Sequence, residues 1–152
     1  YLIWSVLKEP LGNEKMQEVG TAIRQGAMAF LARQYRTISL FSIVLAILIW
    51  GIYTVTGKGE YGVRTAIAFL VGAVCSGLAG YIGMWTAVQS NGRAAQGAFS
   101  GMNKALQLAF RGGAVTGLSV VALSLLGVWG IFMAYGGASW SEEHIKHAPE
   151  LI

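Results

Sequence analysis

Residues 72–117 read GAVCSGLAGYIGMWTAVQSNGRAAQGAFSGMNKALQLAFRGGAVTG, and the fold is decided here. Gly72, Ser76 and Gly80 stand four residues apart, with Ala79 and Gly83 on the adjoining stripe. Ala109, Gly113 and Gly117 repeat the device. On a helix, residues i and i+4 lie one above the other, so each series forms a shallow groove. In lipid, apolar side chains gain little by leaving their surroundings, and such grooves let helix backbones approach and pack. The expectation is a helical hairpin that enters a membrane and returns. Its turn, 91–104, carries Arg93 and Lys104, and Arg111 opens the second arm. A water-soluble hairpin is excluded because nearly every face of both arms is apolar.

Composition supports a membrane protein. Hydrophobic residues make up 55% of the chain and charged residues 12%, against roughly 25% charged in soluble domains. The net charge of +4 is modest. No basic stripe of the kind that binds nucleic acid is present. The single cysteine, Cys75, excludes an internal disulfide and reads as a small buried hydrophobe. The chain opens on Tyr1 rather than Met, and residues 1–7 read as the end of a preceding span. The expectation is therefore a portion of a longer protein. A signal peptide fits poorly, because no basic start or small-residue cleavage site is present.

Outward from the hairpin, Lys8-Glu9-Pro10 ends the first apolar stretch, and Asn13 is a helix N-cap. Residues 8–36 form an amphipathic segment in which Met16, Val19, Ile23, Ala27 and Phe30 share one face. The simplest expectation is an interfacial helix lying on the membrane. Residues 37–57 carry no charge, and at 1.5 Å per residue they reach roughly 31 Å, enough to cross a hydrocarbon core. Trp50 and Tyr53 sit near the far end, where aromatic rings favour the interface. A second span is expected over 65–90; the charge-free run to Gly92 is longer than one span needs, so the helix is tilted or stops before Ser90-Asn91-Gly92. A third is expected over 105–135, and 136–152 form an external loop. The fold class is all-α: a multi-pass transmembrane bundle of three full spans plus the end of one before them.

Eight of the eleven basic residues fall in the amphipathic segment and around the 91–104 turn. By the positive-inside rule that side is cytoplasmic.

The search for chemistry is mostly negative. All seven acidic residues are Glu, and none lies in an expected span. A proton or cation path through these helices would ordinarily show an intramembrane acid. His144 and His147 with Glu142 and Glu143 have metal-like spacing but no convincing third ligand, and a solvated tail is the simpler reading. Neither Gly92-Arg93 nor Gly112-Gly113 continues into the Lys-Ser/Thr of a phosphate loop. Arg111, at a membrane edge, is expected to anchor its helix or pair with a neighbour.

These residues also carry a resemblance. Gly12-Asn13-Glu14-Lys15-Met16-Gln17-Glu18, then Ala22-Ile23-Arg24-Gln25-Gly26-Ala27-Met28-Ala29-Phe30-Leu31 and Gln34-Tyr35, resembles the first cytoplasmic segment of membrane-integral pyrophosphatases. Gly77-Leu78-Ala79-Gly80-Tyr81-Ile82-Gly83-Met84, Asn91, Arg93-Ala94-Ala95, Asn103-Lys104-Ala105-Leu106 and Ala109-Phe110-Arg111-Gly112-Gly113-Ala114-Val115 continue in the family's order. The resemblance implies the N-terminal part of a homodimeric pump in the cell (inner) membrane. Such a pump hydrolyses inorganic pyrophosphate with Mg²⁺ and moves protons or Na⁺, in some members with K⁺. In that family, Asp and Lys residues on later helices hold the magnesium pyrophosphate. No catalytic, cofactor-binding or metal-binding residue is therefore carried over to this segment. Its expected role is scaffold. The alternatives are a non-catalytic membrane assembly or channel subunit, and a segment of a secondary transporter. An Asp-rich helix end with nearby Lys downstream of Ile152 would favour the pump.

Overall fold

The computed structural model describes residues 1–136. Four helices account for nearly all of them: α1 (Leu2–Leu7), α2 (Glu14–Val55), α3 (Gly59–Ser100) and α4 (Met102–Ala134). Three are long and apolar enough to cross a membrane, with α1 as a short stub before them. The all-α bundle is the expected one. The 137–152 part of the expected external loop, with His144 and His147, lies outside the described residues.

Local chemistry explains the boundaries. Asn13 Oδ1 accepts a hydrogen bond from the Met16 amide at 2.9 Å and starts α2 as an N-cap. At its far end, the Gly57 amide donates to the Thr54 carbonyl and the Lys58 amide to the Tyr53 carbonyl. Gly57 has φ +77°, and this pair of bonds is a Schellman stop, which favours a residue without Cβ. Between α3 and α4 the reversal falls on Gly101 alone, at φ 133° and ψ 151°, a conformation close to glycine-only.

Three expectations are corrected by helix continuity. The amphipathic segment is not a separate interfacial helix, since α2 runs unbroken from Glu14 to Val55. One α-helix of 42 residues is roughly 63 Å long, about twice a hydrocarbon core, so it crosses the membrane and projects beyond it. Ser90-Asn91-Gly92 does not end the second helix, because α3 continues to Ser100. The expected 91–104 turn therefore shrinks to Gly101, and Arg93 and Lys104 stand on helices. Polar residues and an isolated glycine weaken a helix without breaking it. Only proline or a left-handed residue forces an end.

The packing seam is also corrected. The residues of α3 buried along it are Ala79, Gly83, Thr86, Ser90, Arg93 and Gly97, spaced alternately four and three apart. They face Leu108, Gly112 and Val115 of α4. A Cβ on Gly83 would lie 2.7 Å from Thr116 Cγ2, and one on Gly112 would lie 2.7 Å from Ser90 Cβ. Gly113, Gly117 and Gly72, named as groove residues, would meet nothing within 4 Å. A strict i+4 series advances 400° at the average turn of about 100° per residue and spirals off the seam, whereas alternating steps of three and four stay on it. Gly80 does make a close approach, to Tyr35 of α2. Its Cβ position is 3.0 Å from Tyr35 Oη, which donates to the Gly77 carbonyl at 2.7 Å.

That contact fixes the register of α2 on α3. Arg33 and Arg36, which precede the charge-free run of α2, stand beside the middle of the charge-free run of α3. The apolar stretches of the two helices are staggered rather than level.

Candidate functional site

The densest polar arrangement lies where α1 meets the tip of the α3–α4 hairpin. It begins with a general deficit, because the last carbonyls of any helix lack partners inside it. Arg93, buried to 7% exposure, supplies them. Its Nε donates to the Glu9 carbonyl at 3.0 Å, and Nη2 donates to the Leu7 carbonyl at 3.3 Å. Nη1 is held from behind by the Gln89 carbonyl at 2.7 Å and the Gln89 Oε1 at 3.1 Å. The cation also sits at the negative end of α1, as a helix dipole favours.

Two further cations of α4 reach the same segment. Lys104 Nζ lies 2.9 Å from Glu9 Oε2, and Arg111 Nη1 donates to Ser5 Oγ at 2.7 Å. Lys8 turns back over the Trp4 ring, 5.2 Å from its centroid. The two basic residues expected in the turn, together with Arg111 of the second arm, thus converge on α1 and its exit. Arg111 does pair with a neighbour, as expected, but from inside α4 rather than at its start. The partners Ser5, Glu9 and Gln89 were not singled out in the sequence. Glu9 did carry a signal, as an acid between Lys8 and Pro10 at a helix end in an otherwise basic region.

The arrangement is a latch. Each of the three cations has at least one protein oxygen as partner, and the cavity between Glu9, Arg93, Gly97 and Lys104 is about 30 Å³, space for a water or two. At the opposite end of the hairpin, Tyr135 Oη donates to the Arg64 carbonyl, and Arg64 pairs with Glu60 at 2.6 Å.

Magnesium wants a near-octahedral set of oxygens, largely carboxylates and phosphate. Among the described residues no three His, Cys, Asp or Glu side chains come together. Glu9 and Glu60 are already paired with cations. These residues do not fit a magnesium cage.

The family model described as inorganic H+ pyrophosphatase matches residues 1–152, and the chain belongs to that family. It is 51% identical to a K(+)-insensitive pyrophosphate-energized proton pump of Caldanaerobacter subterraneus subsp. tengcongensis, over 99% of this chain and 22% of that protein. It is 54% identical to K(+)-insensitive pyrophosphate-energized proton pump 2 of Moorella thermoacetica, over 91% of this chain and 19% of the relative. A more distant relative, pyrophosphate-energized membrane proton pump 3 of Arabidopsis thaliana, is 38% identical over 84% of this chain and 17% of its own length. The chain spans about a fifth of the length of these relatives. No solved structure matches it.

Proposed function

We propose that this chain is the scaffold portion of a membrane pump that hydrolyses inorganic pyrophosphate with Mg²⁺ and exports protons. The observation that carries this reading is the family match over the whole chain, joined to a polar centre whose cations all serve α1. Pyrophosphate is compact and highly charged, so catalysis needs metal ions and cationic groups converging on one cavity. In this segment the converging cations each contact α1 or its exit, at Leu7, Glu9 and Ser5. The catalytic groups accordingly lie in the remaining four-fifths of the protein, and none is assigned here.

The relatives' names support protons as the cargo and a pump without a potassium requirement. The complete protein is a homodimer in the cell (inner) membrane, with the Gly101 tip in the cytoplasm and the Lys58 turn outside. This reading has more support than a channel subunit or a secondary transporter, since the relatives carry pump names along the matched region.

The test is made on the full-length protein in sealed vesicles. Magnesium-dependent pyrophosphate hydrolysis should drive proton uptake without added K⁺, and hydrolysis with no ion movement would refute the pump. Cysteines at positions 58 and 102 should react with impermeant reagent from the outside and the cytoplasm respectively. Reversed labelling would overturn the orientation.

A further inference from the structure

The basic residues on the described helices divide into two sets. Arg64, Arg93, Lys104 and Arg111 have protein partners. Lys15, Arg24, Arg33 and Arg36 of α2 are exposed and show no ion pair or side-chain hydrogen bond among the described residues, and of these Arg33 and Arg36 alone stand directly before the charge-free run. Their direction follows from helix geometry. Leu31, at 5% exposure, and Tyr35, bonded to Gly77, mark the face of α2 that meets α3. Arg33 lies about 160–200° from both of these residues, and Arg36 about 100–140° from them, so both point away from α3.

One step further along the chain, residues 37–57 carry no charge. Ile38, Leu40, Phe41, Val44, Leu45 and Leu48 are exposed along that run. An unpartnered guanidinium within hydrocarbon is costly, so a pair at this boundary marks headgroup depth. Guanidinium is planar, always charged and suited to bidentate phosphate contact.

We propose that Arg33 and Arg36 form a binding site for the headgroup phosphate of an anionic phospholipid, whose acyl chains lie along the apolar face from Ile38 to Leu48. Charge complementarity and the abrupt change from paired arginines to a charge-free run select lipid over an acidic protein segment.

The full-length protein, purified in detergent, is titrated with phosphatidylglycerol and separately with phosphatidylcholine, with retained lipid counted by native mass spectrometry. R33Q/R36Q should bind phosphatidylglycerol about tenfold or more weakly, with phosphatidylcholine binding unchanged. R33K/R36K, which keeps the charge, should retain part of the affinity and covers the case in which the glutamine variant does not assemble. K15Q/R24Q alters cations about 14 Å or more from Arg33 along the helix and should leave binding unaltered. The proposal fails if R33Q/R36Q binds like the parent, or if K15Q/R24Q weakens binding equally. It also fails if R33K/R36K shows no preference for the anionic lipid. Cross-linking of Arg33 or Arg36 positions to an acidic protein segment would overturn it as well.

Discussion

At the scale of single residues, Arg93 carries the most. It satisfies two carbonyls at the exit of α1 while Gln89 fixes its direction. Replacement by Met keeps the bulk but leaves those carbonyls without donors. A buried charge-assisted hydrogen bond is worth about 1.5–3 kcal/mol, so R93M should lower stability by at least 2 kcal/mol or so. The measurement is thermal unfolding in detergent, together with the rate of trypsin cleavage after Lys8, which should rise. Arg93→Lys should not restore the parent behaviour, because one ammonium cannot span Leu7, Glu9 and Gln89 together. Unchanged melting and cleavage in R93M would show that α1 is held by packing alone. Loss of the Lys104–Glu9 pair should matter far less, since both side chains are partly in solvent. The sequence disclosed Asn13 as a cap, because a cap acts on its own next turn. It did not disclose the role of Arg93, whose partners lie 84 and 86 residues away.

At the scale of helices, the seam between α3 and α4 depends on which glycine faces it. Gly112 faces Ser90, and Ser90 Oγ is itself tied to the Thr86 carbonyl at 2.8 Å. A methyl group at Gly112 or Gly83 has no free space, and overpacking of this kind costs about 1–3 kcal/mol. Gly113 and Gly117 have open space within the segment, so alanine there should be neutral or stabilise by up to about 1 kcal/mol through helix propensity. Circular dichroism melts of the 152-residue segment in detergent compare the four alanine variants. Equal damage at Gly112 and Gly113 would contradict the seam. Helix content, span count and the existence of a hairpin were legible because apolar runs between charges are local in sequence. Rotation was not legible, because a step of one residue turns a helix by about 100° and the sequence offers glycine at both 112 and 113. The helix ends expected at Ser90-Asn91-Gly92 and near Arg36 were misplaced for a related reason. Polarity marks where a helix leaves lipid, and it does not mark where the helix ends.

At the scale of the whole molecule, the stagger between α2 and α3 leaves part of the hairpin above the level of Arg36. Phe99, Met102, Leu106 and Phe110 are exposed there. In a chain that spans about a fifth of its relatives, such apolar surface is the place for the remaining helices to pack. The proposed scaffold role and the latch describe one arrangement, in which α1 is fastened to the hairpin tip. The absence of Asp was legible from composition, and it bears directly on where magnesium can be held. The use of the basic tip was less legible, because clustered cations beside a membrane suit either phosphate or protein carbonyls until their partners are known.

The central claim is that these cations hold the fold and do not hold substrate. The most direct measurement is the Michaelis constant for magnesium pyrophosphate in full-length protein carrying Lys104→Gln or Arg111→Gln, taken beside the amount of assembled dimer. The expected constant lies within about twofold of the parent in both variants, with assembly or coupling reduced in Arg111→Gln and little changed in Lys104→Gln. A rise of about tenfold or more with normal assembly would put these side chains at the substrate and contradict it.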